Sequence, residues 1–423
     1  MTKYFCEKCG KEFLQKSRLT IHMNKKKPCE STNILNFQQL KQSDLLNITE
    51  VKINNQNDVI NKIVDEFKII NQNEIINTNS RVDEIIQEEI IKATIDNNLE
   101  INKNLPLNVL DLFCGCGGMS KGFHDAGYNI IAGIDIWDKA IKSYKKNYNH
   151  EAICEDLTKL SPEKFNELYN KQNKNIDVIV GGPPCQGFSM AGRRDIKDPR
   201  NSLFMEYVKY LEFFRPKAFV FENVVGIVSM KTEKGEKVID IIIDNLSKNY
   251  NCKLYKLSAS NYEVPQNRTR IIIIGIRHDL NIIPTEPKTI TKNNIIPVKN
   301  VLFPKEQIDK SYYLSERAIL GINNKKKKSK ENGNGFGAQF LNLENPSYTI
   351  PSRYWKDGYD ALVKYSENEI RRLTITELKR IQTFPDDYII EGTKKDIIMQ
   401  IGNAVACKFA YHIAKHLYDL LNQ

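Results

Sequence analysis

Short apolar runs recur through the middle of the chain, separated by turn residues and by stretches with helical spacing. Val109-Leu110-Asp111-Leu112 precedes a glycine-rich turn, and the residues after that turn read as a helix ending near Gly127. Ile130 to Ile134, closing at Asp135, is a second run; Asp177 to Val180, Ala218 to Phe221 and Ile271 to Ile274 follow. Helical stretches lie between them, including Leu203 to Phe214 and Lys237 to Asn249. Alternating β and α units of this kind predict an α/β fold with a doubly wound, mostly parallel sheet. Ligands on such sheets sit beyond the carboxyl ends of the strands, which directs attention to the turns that follow each run.

The alternation stops between about Asp279 and Ile370. That stretch holds turn residues, the lysine run Lys325 to Lys328, the loop Gly333-Asn334-Gly335-Phe336-Gly337 and the cluster Tyr354-Trp355-Lys356. It reads as a smaller, irregular domain, residues 279–370. Helical spacing returns around Thr376 to Gln382 and Ala404 to Leu421, so residues 105–278 and 371–423 are expected to form one core. Residues 30–104 contain neither glycine nor proline. Val59, Ile60, Ile63, Val64, Phe67 and Ile70, then Val82, Ile85, Ile86 and Ile90, recur at helical spacing. This predicts amphipathic helices that dock on the core or pair with a second chain, or else a solvated spacer, and not a flexible linker.

Residues 1–29 are cysteine-rich. Cys6 and Cys9 stand two residues apart, twelve residues separate Cys9 from His22, and Phe13 and Leu19 take the apolar positions between. That is the spacing of a ββα zinc finger, except that Cys29 stands where a second histidine is usual. Three thiolates and one imidazole from Cys6, Cys9, His22 and Cys29 are chemically suited to Zn2+. The alternative is a basic tail with incidental cysteines.

Composition adds less. Sixty-two Lys and Arg against 52 Asp and Glu give a formal charge of +10, which suits a polyanionic partner without requiring one. Lys25-Lys26-Lys27 and the run at Lys325 read as phosphate-contacting loops or exposed tips. The nine cysteines form no disulfide framework, which fits a reducing compartment. No apolar run reaches the length of a membrane span and the N-terminus has no signal-peptide core, so a soluble, intracellular protein without a membrane partner is expected.

The chemistry concentrates after the third of these runs. Asp177 to Val180 runs into Gly181-Gly182-Pro183-Pro184-Cys185-Gln186-Gly187-Phe188-Ser189. A thiol thus leaves a strand end on a stiff turn, the setting of a candidate nucleophile as well as of an inert buried cysteine. Pro-Pro-Cys-Gln-Gly-Phe-Ser resembles the nucleophile loop of the DNA cytosine-C5 methyltransferases. The resemblance continues in that family's order through Asp111-Leu112-Phe113-Cys114-Gly115-Cys116-Gly117-Gly118, Glu222-Asn223-Val224, Gln266-Asn267-Arg268-Thr269-Arg270, Arg372-Leu373-Thr374 with Gln382-Thr383-Phe384-Pro385, and Gln400-Ile401-Gly402-Asn403-Ala404-Val405. It covers roughly residues 106 to 423 and leaves out the first 105.

The resemblance implies a doubly wound methyltransferase sheet binding S-adenosylmethionine, with the irregular region as target-recognition domain. A glycine-rich turn with an acid some twenty residues on also suits a dinucleotide, and the resemblance decides between the two. It assigns Phe113, Gly115 and Gly117 to the cofactor turn, Asp135 to the ribose, Ile136 (with Trp137 beside it) to the adenine face, Asp156 to the adenine amino group, and Asn403 and Val405 to the methionine end. Asp135 stands where the family usually has glutamate. The implied reaction transfers a methyl group to C5 of a flipped-out cytosine in a specific double-stranded DNA sequence, through a covalent bond from Cys185 to C6. Glu222 is the implied acid at N3, and a buried carboxyl with a raised pKa can hold such a proton near neutrality. Arg268 and Arg270, two apart as on one face of a strand, would hold the base carbonyl and brace Glu222. Gln186 and Ser189, with Thr349 and Arg353 of the irregular region, are the implied DNA contacts, and Tyr354 and Trp355 serve packing or base contact. A modification methylase, monomeric on DNA or self-associating through residues 30–104, is the reading that follows. Its place would be the cytoplasm or nucleoid of a bacterium, or the host cytoplasm or nucleus for a virus. A tRNA cytosine-C5 methyltransferase and a catalytically silent DNA-binding regulator are the alternatives. The first should carry a Cys-Phe-Thr tripeptide, which is absent; the second should lack Cys185, Glu222 or Arg268, all present.

Overall fold

The computed structural model describes residues 106–184, 203–232, 235–331 and 338–422, together with two short strands near the N-terminus. The chain divides into two units, Met1–Asn97 and Asn98–Gln423. In the first unit, β1 (Tyr4–Phe5) and β2 (Glu12–Phe13) pair antiparallel, Tyr4 opposite Phe13. The expected zinc ligands Cys6, Cys9, His22 and Cys29 and the expected helices of residues 30–104 lie outside the described residues.

The second unit is built on seven strands: β3 (Asn108–Leu112), β4 (Asn129–Asp135), β5 (Glu151–Cys154), β6 (Val178–Gly181), β7 (Ala218–Val224), β8 (Tyr250–Ser258) and β9 (Thr269–Arg277). Their order is β5-β4-β3-β6-β7-β9-β8. The first five are parallel, and β9 runs antiparallel to both β7 and β8. The helices α1 (Gly118–Asp125), α2 (Asp138–Asn147), α3 (Pro162–Tyr169), α4 (Leu203–Phe214) and α5 (Val238–Leu246) alternate with them. Strands such as Val178–Gly181 are buried along their whole length because helices cover both faces, so their sequences read as unbroken apolar runs. One core cluster joins Leu110, Leu112, Ile179, Phe219 and Phe221 to α4 and α5. The other joins Val109, Val180, Val220 and Ile274 to α1 and to the last helix, α9 (Cys407–Leu421).

The order of the parallel strands reverses between β3 and β6. Turns leaving those two strands therefore diverge and open a crevice, the usual ligand position in a sheet of this kind. The glycine-rich turn follows β3, and the loop running toward Cys185 follows β6.

Between β9 and residue 361 the described chain has short 3-10 turns and one long helix, α6 (Glu316–Glu331). The lysine run, read from sequence as a loop or tip, belongs to this helix. A polar run with few apolar residues gives no periodicity, although lysine is a good helix former. Then come the hairpin β10 (Leu362–Ser366) and β11 (Glu369–Arg372), α7 (Ile375–Ile381), α8 (Lys394–Asn403) and α9. Helix α8 was not read from the sequence, and the single helix expected from Ala404 starts at Cys407. Val298, Ile350 and Tyr354 of the irregular region share a core with Leu378, Ile381, Ile398 and Ile401. A buried ion pair ties the hairpin to α7: both terminal nitrogens of Arg371 donate to Glu377, at 2.8 and 2.9 Å, and Glu377 also caps the helix through Thr374.

Candidate active site

The turn after β3 departs from ordinary backbone geometry at three residues. Phe113, Gly115 and Gly117 have φ of 64, 55 and 97°. At Gly117 this matters twice, because a Cβ there would also sit 2.6 Å from the Tyr388 hydroxyl. Gly118 starts α1 against the return segment, where a Cβ would meet the Val405 carbonyl at 2.2 Å. Val405 is therefore part of the turn's surroundings, and Asn403, the last residue of α8, is exposed beside it.

Asp135 closes β4. Its Oδ2 accepts from the Gly115 N–H at 2.9 Å and its Oδ1 from the Trp137 N–H at 2.8 Å. Burial pushes this carboxyl up from its ordinary value, and the backbone donors hold it back. Each oxygen keeps a second lone pair, which is what two vicinal hydroxyls would need. Ile136 is 67 % exposed, an unusual state for an isoleucine at a crevice, while Trp137 is turned partly inward at the start of α2. Asp156 accepts from the Thr158 N–H and hydroxyl through Oδ1, which draws its carboxyl down, and Oδ2 has no hydrogen-bond partner among the described residues.

Glu222 lies in β7, opposite Ile272 of β9, and Arg270 lies opposite Val224. Two steps along the same face bring them together as a diagonal pair, with Arg270 Nε 2.8 Å from Glu222 Oε1 and both side chains largely buried. The other oxygen, Oε2, rests over Gly182, where a Cβ would stand 2.8 Å away. No larger residue fits at 182 without moving the acid. Asn223 fastens the same loop by donating to the Pro183 carbonyl at 3.0 Å. The carboxylate is thus fixed at the entry to the loop that leads to Cys185. Cys185, Gln186 and Ser189 themselves lie outside the described residues.

Arg268 stands one residue before β9, within reach of the charges of Arg270 and Glu222. Arg268 is 4 % exposed, and its terminal nitrogens donate to the carbonyls of Ile350 and Gly402 at 3.2 and 2.9 Å. Nε has no partner among the described residues. The side chain thereby ties together the approach to β9, the irregular region and the end of α8. Thr349 donates its hydroxyl to the Asn267 carbonyl, and Arg353 pairs with Asp360 at 2.7 Å. Tyr354 is buried, with its hydroxyl bonded to Ala361 and Leu373, which makes it a packing residue. Trp355 is partly exposed, with the Lys395 ammonium 4.6 Å from its ring centre.

Several buried polar residues were not singled out from sequence. Gln266 accepts from the Ile350 N–H and donates to Gln382, which donates on to the Ile401 and Ala404 carbonyls. Gln400 accepts from Ser143 and donates to the Glu391 carbonyl. All three glutamines stand inside the motifs named above, so their motif position was the available signal. A second chain of bonds runs beneath the cofactor turn: the Ser120 hydroxyl donates to Asp111 at 2.6 Å and lies 2.7 Å from the Tyr144 hydroxyl, which lies 2.8 Å from His150 Nε2.

Burial pushes the Asp111 carboxyl up to about 7, opposed by its bond from Ser120. A carboxyl raised by folding stabilises the fold fully below its unfolded value and loses that contribution as pH rises through the folded one. Asp111→Asn keeps an acceptor for Ser120 and removes the titration. Between about pH 5 and about pH 8 the variant should therefore gain on the wild type by on the order of a few kcal/mol. Urea unfolding midpoints of both proteins at the two pH values check this; a constant difference between them would show that Asp111 does not titrate in that window.

The sequence matches the C-5 cytosine-specific DNA methylase family over residues 107–419. The chain belongs to that family. It is a DNA cytosine-C5 methyltransferase. Over 176 residues it is 47 % identical to the Type II methyltransferase M.DdeI of Desulfomicrobium norvegicum, spanning 41 % of each chain. Over 328 residues it is 34 % identical to the Type II methyltransferase M1.HphI of Haemophilus parahaemolyticus, covering 74 % of this chain and 86 % of that one. Among solved structures it resembles a prophage-encoded protein of E. coli described as a DNA modification methyltransferase. The TM-score is 0.59 at 26 % identity, covering 75 % of this chain and all of that one.

Methylases of this family use S-adenosylmethionine, and the residues present fit it: an open turn at Gly115, a carboxylate with free lone pairs at Asp135, an exposed apolar face at Ile136. No His, Cys, Asp or Glu cluster able to hold a metal occurs among the described residues, and the expected zinc ligands lie outside them. No described helix is long and apolar enough to cross a membrane.

Proposed function

We propose that this methylase modifies one cytosine in a specific double-stranded DNA sequence, as the modification partner of a restriction system, through a covalent bond between Cys185 and the base. The observation that carries the reading is the Glu222–Arg270 pair held over Gly182. It fixes a carboxyl at the mouth of the loop that bears the thiol.

Cytosine C5 is a poor nucleophile. Attack by the Cys185 thiolate on C6 makes C5 the carbon of an enamine, and a proton or strong hydrogen bond from Glu222 at N3 takes up the developing ring charge. S-adenosylmethionine, when bound, supplies the electrophilic methyl group. Loss of the C5 proton and departure of the Cys185 sulfur then restore the aromatic ring. Arg270 fixes the rotamer of Glu222. Arg268, with one N–H unpartnered among the described residues, offers a donor to the base carbonyl while its other nitrogens hold the surrounding segments. Gly115, Gly117, Phe113 and Asp135 seat the turn and ribose end of the cofactor, Ile136 and Asp156 the adenine, and Asn403 and Val405 the methionine end. The base reaches this crevice only by leaving the duplex.

Residues 279–370 act as the target-recognition domain, with Thr349 and Arg353, and with Gln186 and Ser189 at the nucleophile loop, as DNA contacts. Residues 1–29 are read as a single zinc-binding module, with Cys6, Cys9, His22 and Cys29 as ligands. Support comes from the β1–β2 pair, whose connecting sequence contains Cys6 and Cys9, and such a module tethers more than it specifies. Bisulfite sequencing of DNA from cells expressing the chain should show one protected sequence. The same sequence should be protected when residues 1–29 are deleted, with the loss of DNA affinity largest at low salt and a shallower dependence of affinity on salt. Absence of protected cytosine in both would remove the reading, and a changed sequence in the truncated form would assign readout to the N-terminal unit.

A further inference from the structure

The carbonyls of the cofactor turn have unusual partners. The Tyr388 hydroxyl donates to the Cys116 carbonyl at 2.5 Å, and the Tyr148 hydroxyl donates to the Gly117 carbonyl at 2.8 Å. One tyrosine follows α2 and the other follows α7, so segments 240 residues apart in the chain converge on two adjacent peptide groups. Each hydroxyl has one proton and spends it on a carbonyl. The 3.3 Å approach between the two oxygens is therefore a packing contact. The rings are braced from behind, Tyr148 by Tyr144 at 4.5 Å between centroids and Tyr388 by Phe384 at 4.8 Å. Burial drives both phenols well above their ordinary pKa, so both remain donors at any working pH.

We propose that Tyr148 and Tyr388 are positioning residues for S-adenosylmethionine: a paired hydroxyl clamp that holds the turn in its receiving shape. This rests on the reading that the turn after β3 seats the cofactor. The turn needs such a device because Phe113, Gly115 and Gly117 all take positive φ, a conformation with little local preference in its favour. Its shape also sets Asp135, because the Gly115 N–H donates to that carboxylate. Once Cys116 loses the Tyr388 donor and Gly117 keeps only the helical one from the Lys121 N–H, the turn is free to relax. The cofactor must then order the turn as it binds, which lowers affinity by the fraction of molecules in the receiving shape.

The variants Tyr148→Phe and Tyr388→Phe keep the rings and remove only the donors. In the full chain, calorimetric titration with S-adenosylmethionine should show Kd raised about tenfold in each single variant, and further in the double variant. Turnover at saturating cofactor should stay within about twofold, DNA affinity should not change, and amide exchange should quicken at residues 115–118 alone. A double variant with wild-type cofactor affinity overturns the clamp. So does a loss that appears equally in DNA affinity and unfolding midpoint, because the hydroxyls would then only support the fold. Wild-type chain that binds no S-adenosylmethionine would instead overturn the reading of the turn itself.

Discussion

Replacing Cys185 with serine is expected to abolish methyl transfer while leaving binding of duplex DNA and of S-adenosylmethionine near wild type. The argument is chemical. A serine hydroxyl is far less ionised than a thiol at neutral pH and is a weaker nucleophile toward C6, and nothing else in the motif can make C5 reactive. A duplex carrying 5-fluorocytosine at the target separates this from a general defect. With fluorine in place of the C5 hydrogen the final elimination is blocked, so the wild type should remain covalently attached and the variant should not. Methylated product from the serine variant would dismiss Cys185 as the nucleophile.

Glu222→Gln should lower turnover by on the order of a hundredfold or more, the usual contribution of a general acid. Glutamine preserves the shape against Gly182 and still offers an oxygen to Arg270, so the loop and the strand pair should hold. What it cannot do is pass a proton to N3. The defect should therefore appear in turnover at saturating DNA and cofactor, with the affinity for S-adenosylmethionine scarcely changed. Equal turnover in variant and wild type would remove Glu222 from the chemistry and leave it as a partner for Arg270.

Much of the central sheet could be read from the chain because its strands are buried on both faces and bounded by turn residues. The run from Val109 to Leu112 and the helix Leu203–Phe214 show how directly such patterns translate. Strand β8, Tyr250–Ser258, escaped notice because it lies at the sheet edge and mixes lysine with apolar residues. The lysine-rich half of α6 escaped for want of any apolar period. The anchoring of Arg268 on the carbonyls of Ile350 and Gly402 was not legible, because those acceptors come from segments 82 and 134 residues away. Motif order marked Glu222, Arg270 and Asp135 as candidates, but not their partners. That Gly182 must be bare because an oxygen lies over it, or that Tyr148 and Tyr388 meet at one turn, depends on segments whose approach no local pattern encodes. The buried glutamines belong to the same class: their positions in the motifs are legible, their pairing across the core is not.

The packing of α9 on α1 has a further consequence for how the molecule comes into being. Gly122 of α1 has the Ala410 side chain where its own Cβ would be, and the Tyr128 hydroxyl is satisfied by the Ala414 carbonyl, 286 residues later. At translation speeds of roughly 5–20 residues per second, the ribosome needs on the order of tens of seconds to cover that interval. During this time the apolar face of α1 and the edge it covers have emerged without the helix that will shield them. The nascent chain is then at its most adhesive, and a chaperone that caps exposed apolar surface would find its best target there. Slowing synthesis between Tyr128 and Ala410 should increase the share of product lost to aggregation, whereas supplying the α9 segment in trans during translation should reduce it.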